Sequence, residues 1–107
     1  MQKIQFLGKE VSIAFNVAVQ VEYEDITGEA WNVERLGRVK NSCALYAATI
    51  NVNNPDSPIT SEEIQQHATS EEMTRISTAV AEEMAKWFKL PATMKEEPAS
   101  EEEEKNA

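Results

Sequence analysis

The sequence predicts an α+β fold that is mostly α. A short N-terminal β-hairpin packs on a bundle of about four helices, and a disordered acidic tail follows. Three observations carry this. Residues 3–15 alternate apolar and polar around Gly8. Two helix-start signatures follow one another at Thr60 and Thr69, and the composition turns acidic and nearly free of apolar residues after Pro91. The expected domain is residues 1–90, and the expected tail is residues 91–107.

In the first strand, residues 3–7, Ile4 and Phe6 share one face; in the second, residues 10–15, Val11, Ile13 and Phe15 do. Gly8-Lys9 is the expected two-residue turn. A lone hairpin is marginal in water, so helices must cover its apolar face. Asn16 has the chemistry of an N-cap, and Val19, Tyr23 and Ile26 form a helical face over Val17–Thr27. The β-branched residues at Val17–Val21 favour a strand instead. Glu22, Glu24 and Asp25 would crowd a short strand, and Gly28 stands where a helix C′ glycine belongs, so a helix is preferred.

Asn32 is placed to cap a second helix from about Val33 to Asn51, with Leu36, Val39, Cys43, Tyr46 or Ala47, and Ile50 as one apolar stripe. Gly37 is unfavourable inside it, so the element is either broken there or starts after it. Asn51–Pro58 reads as a loop. Thr60 with Glu63 makes a capping box and Ile59 with Ile64 a hydrophobic staple, starting a short helix over Ser61–Ala68. Thr69 with Glu72 repeats the box and starts the longest helix, Ser70–Lys89, with Met73, Ile76, Val80, Met84, Trp87 and Phe88 on its buried face; Pro91 stops it.

The formal charge of −9, from 10 basic and 19 acidic residues, argues against a nucleic-acid partner, whose phosphates demand Lys and Arg. One cysteine, Cys43, permits no internal disulfide and no cysteine metal cluster. Neither a signal-peptide run nor a membrane-length apolar window stands in the sequence, and an intracellular protein is expected.

No residue set spells out a reaction. His67, the single histidine, has Glu63 and Glu71 at helical spacing, which reads as a solvated histidine beside acidic caps. The pairs Glu62-Glu63 and Glu71-Glu72 have capping duties, and Glu82-Glu83 falls on a polar helix face. Cys43 sits on an apolar stripe and reads as a structural thiol. There is no Gly-rich phosphate cradle. A binding or assembly role without cofactor or metal is therefore expected rather than an enzyme. Trp31, Tyr46, Trp87, Phe88 and Leu90 are the large apolar residues expected near an edge, as core packing or as a partner patch.

The order of features has a family counterpart. Gly8-Lys9-Glu10 in the hairpin, the run Val21-Glu22-Tyr23-Glu24-Asp25-Ile26-Thr27-Gly28, the Ala44-Leu45-Tyr46-Ala47-Ala48 segment and Ile59-Thr60-Ser61-Glu62-Glu63-Ile64 resemble the tail assembly chaperones of long-tailed bacteriophages and prophages, over roughly residues 2–90. The resemblance implies a small, mostly helical protein of the bacterial host cytoplasm, absent from the mature virion. Such a protein binds the tape-measure protein and recruits tail-tube subunits. It also implies that a longer, frameshifted form can exist, diverging in the acidic tail. A groove between the mid-chain and last helices, lined by Tyr46, Ile50, Trp87 and Phe88, is the expected partner site. A free hairpin edge offers a route to a homo-oligomer. Another small phage structural or adaptor protein, such as a tail completion protein, is the alternative.

Overall fold

A computed structural model describes residues 1–88. The expected acidic tail, the stop at Pro91 and Leu90 lie outside the described residues.

Strands β1 (Gln2–Phe6) and β2 (Lys9–Ile13) form a two-stranded antiparallel hairpin. Phe6 pairs with Lys9, so the turn is Leu7-Gly8, one residue earlier than Gly8-Lys9. Both turn residues have positive φ, Leu7 at 50° and Gly8 at 84°. This is the type I′ combination, whose twist matches that of the strands and which favours glycine second. Val11, Ile13 and Phe15 all turn inward, as the alternation predicts.

Helix α1 (Val17–Thr27) starts and stops where its signals stand. The Asn16 Oδ1 accepts from Val19 N–H at 3.2 Å. Gly28 adopts the left-handed conformation and donates its N–H to Glu24 O at 2.8 Å. The expected second helix is divided. Asn32 caps a 3-10 turn, Val33–Gly37, and an extended Arg38 separates this from α2 (Val39–Asn53). The break falls at Gly37, and Ser42 Oγ donates back to Leu36 O at 2.6 Å, satisfying a carbonyl that the break frees.

Helix α2 is the hub, packing against α1, the 3-10 turn, β2, α3 (Ser61–His67) and α4 (Ser70–Trp87). All eight residues from Cys43 to Ile50 are buried. A helix enclosed on every side needs apolar or small residues all round, and Cys43-Ala44-Leu45-Tyr46-Ala47-Ala48 supplies them. The expected single stripe is thus replaced by burial on all faces. Tyr23, fully buried in α1, has its hydroxyl met by Asn41 Nδ2 at 2.9 Å.

Both capping boxes form as the sequence predicts, Thr60 with Glu63 and Thr69 with Glu72, and the Ile59–Ile64 staple is buried. The second box does more than cap α4. Glu72 Oε2 also accepts from Leu7 N–H at 2.9 Å, and Arg75 Nη1 donates to Gln5 O at 2.7 Å. The N-terminal half of α4 thereby holds the turn and the outer edge of β1.

Of the Asn51–Pro58 segment read as a loop, residues 54–58 are loop and the first three residues extend α2. Helix α2 continues through Asn53, and its terminal asparagines act as brackets. Asn54 accepts from Ser12 N–H and donates to Ser12 O, both at 2.9 Å. Asn51 accepts from Ile59 N–H at 2.7 Å and donates to Ile59 O at 2.9 Å. Asn53 Nδ2 donates to Ala14 O at 2.8 Å. A carboxamide carries the same donor and acceptor as a peptide unit, so each two-way contact imitates one rung of a β ladder. With Asn54 on Ser12 and Arg75 on Gln5, both hairpin edges are engaged at those positions.

Candidate functional site

Five of the seven aromatic residues gather at one end of the molecule, where β2 runs out and α4 ends. Phe15 is the centre. Its ring centroid lies 5.6 Å from Trp31, 5.6 Å from Trp87 and 5.9 Å from Phe88. Trp31 stands edge-on to Tyr23 at 5.3 Å, and Trp87 edge-on to Phe88 at 5.0 Å. Such tilted and T-shaped pairs contribute about 0.5–1.5 kcal/mol each beyond area burial.

The cluster is buried on its inner side only. Phe15 and Tyr23 are interior, Trp31 is half-buried, and Trp87 and Phe88 remain 40% and 41% exposed. These two are the last described residues of α4 and its cap, so they cover Phe15 from outside with no element over them among the described residues. On the other flank, Glu24 Oε2 accepts from the Trp31 backbone N–H at 2.6 Å, which ties the last turn of α1 to the segment that carries the indole. Glu29, two residues before Trp31, is paired with Arg35 at 3.2 Å.

The expected groove is thus divided. Trp87 and Phe88 are at the surface, as a partner site needs. Tyr46 and Ile50, only 8% and 1% exposed, are core residues and do not line a groove. The reason is the all-round burial of α2, which leaves its central turns no outward face. Their place beside Trp87 and Phe88 is taken by the half-buried Trp31, with Phe15 beneath. The alternation in β2 marked Phe15 as inward-facing, which it is; that it would anchor the patch depends on the meeting of three distant segments.

The other chemical candidates stay apart. His67 is exposed on α3, and no three His, Cys, Asp or Glu side chains come together as a metal site among the described residues. Cys43 is buried and burial raises its thiol pKa. Glu83 is the one buried carboxylate among the described residues. Burial works against its ionisation, but hydrogen bonds from Lys86 at 3.0 Å and Gln2 at 3.1 Å, with the charges of the N-terminus and Lys86, outweigh it and hold the carboxyl below the usual range. Its bonds tie α4 to β1, a structural duty. A cleft of about 360 Å³ between the end of α1, α2 and α3 is lined by Lys40, Glu62 and the hydroxyl residues Thr27, Thr60 and Ser61. No described helix is long and apolar enough to cross a membrane.

No family model matches the chain, and no curated protein or solved structure shows significant similarity to it.

Proposed function

We propose that this protein is a non-enzymatic tail assembly chaperone of a long-tailed phage or prophage. It binds the tape-measure protein and recruits tail-tube subunits while the tail is built in the host cytoplasm. The observation that carries the reading is the exposed aromatic patch of Trp31, Trp87 and Phe88 over Phe15. Large rings kept at the surface of a small domain with a closed core are what a protein-binding site requires, because aromatic anchors dominate interface energies. The sequence resemblance supplies the class of partner. A chaperone for a long helical client needs an apolar anchor with a net charge that keeps the complex dissolved, and the charge of −9 fits that need.

Co-expression with the adjacent tape-measure gene tests the reading. The expected result is a complex that purifies through a tag on either partner, from a gene lying between those for tail tube and tape measure. A tape-measure protein that stays soluble and unbound at the same expression level would contradict it, and a tail completion protein would instead be found in finished virions.

A further inference from the structure

One stretch of this acidic molecule has the opposite sign. From Arg35 to Pro55 the sequence carries three cations, Arg35, Arg38 and Lys40, and no acidic residue. The three stand where the 3-10 turn passes into α2, and all are exposed. Arg35 is paired with Glu29, whereas Arg38 and Lys40 form no ion pair among the described residues. Glu62 lines the same cleft as Lys40 but lies beyond ion-pair distance. The other lysines without an ion pair among the described residues, Lys3 and Lys9, stand apart at opposite ends of the hairpin.

The described chain ends within reach of this basic strip. Phe88 and Trp31 both pack on Phe15, at 5.9 and 5.6 Å, and Arg38 follows Trp31 by seven residues. Seven residues span at most roughly 25 Å. Beyond Phe88 the sequence continues for 19 residues, with its one uninterrupted acidic block at Glu101–Glu104. The 13 residues from Phe88 to Glu101 reach roughly 45 Å when extended, and about 20 Å on average as a flexible chain.

We infer that the Arg38–Lys40 strip is an interaction surface for the chain's own Glu101–Glu104 block. Charge complementarity fixes the kind of occupant. Tethering selects the chain's own block over that of a second copy, because a short linker holds it at an effective concentration of the order of millimolar. Any other acidic segment must displace it to reach the strip. The inference is independent of the assembly role proposed above: the strip lies on a different segment from Trp87 and Phe88, and its test needs no partner.

The test compares amide NMR spectra of the full chain, wild type against a variant with Glu101, Glu102, Glu103 and Glu104 all replaced by Gln. At low salt the amides of Leu36–Lys40 should shift between the two, while those of Lys3 and Lys9 stay in place. The difference should vanish at about 1 M salt, where the Debye length is about 3 Å. Tenfold dilution should leave it unchanged, as an intramolecular contact requires. In an Arg38→Gln/Lys40→Gln background the same four substitutions should no longer move the strip, with circular dichroism verifying the fold. Added hexaglutamate should bind the four-Gln variant severalfold more tightly than the wild type, whose own block competes. Identical strip amides in wild type and variant at low salt would overturn the inference, as would shifts spread equally to Lys3 and Lys9. A difference lost on dilution would assign the contact to a second copy and overturn it as well.

Discussion

At the scale of single residues, asparagine amides substitute for backbone. Asn54 meets both peptide groups of Ser12, and Asn51 both of Ile59. Replacing Asn54 by Ala leaves a part-buried N–H and C=O without these partners, at about 1–3 kcal/mol. Urea unfolding should register this as a lower midpoint with an unchanged slope. Glycines give a sharper test because the same substitution changes sign. Gly28 has φ 71°, and Gly28→Ala should destabilise by about 1 kcal/mol although nothing crowds the new Cβ. Gly37 has no positive φ and open space around it, so Gly37→Ala should stabilise by about 0.4–1 kcal/mol through the unfolded chain. Thermal melts of the two variants should move in opposite directions. The cap residues Asn16, Thr60 and Thr69 were legible in the sequence because each acts within its own turn. The brackets were not, because Asn51 and Asn54 look like loop composition until residues 12 and 59 arrive beside them.

At the scale of elements, the two capping boxes look alike in sequence and differ in duty. Glu63 closes its own box, whereas Glu72 closes its box and also holds Leu7 N–H across the interface of α4 and β1. Glu72→Ala should therefore lower the melting temperature more than Glu63→Ala. Backbone bonds from Thr69 and Leu7 set the Glu72 carboxyl below its ordinary 4.5, and Glu83 is also lowered against its burial. Between the folded and unfolded pKa values the unfolded chain binds more protons. Stability thus rises with pH through that window, is complete above the unfolded value, and is lost as pH falls through the folded values. Acid titrations of stability should show this limb in the wild type and a shallower one in Glu83→Gln. The hairpin shows where sequence patterning stops. A turn at Gly8-Lys9 would pair Phe6 with Val11, and the observed turn at Leu7-Gly8 pairs it with Lys9. The two registers differ by two residues, so both keep Ile4, Phe6, Val11 and Ile13 on one face and alternation cannot separate them. Turn geometry, with Glu72 on Leu7, accompanies the register adopted.

At the scale of the whole molecule, α2 buries its central turns on all faces, and the large exposed rings lie at the α4 terminus. This explains why the mostly helical fold with its N-terminal hairpin was legible while the site was legible only in half. Trp87 and Phe88 sit at a helix terminus and stay exposed; Tyr46 and Ile50 sit mid-helix and vanish into the core. Helix periodicity places residues on faces but does not count how many faces are covered. On the function proposed above, the α4 terminus, with Trp31, carries the partner site. That assignment is tested most directly by co-purifying the tape-measure protein with the wild type, with Trp87→Ala/Phe88→Ala, and with Tyr46→Phe, each verified as folded. Loss of the complex in the Trp87/Phe88 double variant alone is the predicted result. Retention of the complex by that variant, or its loss in Tyr46→Phe alone, would contradict the account.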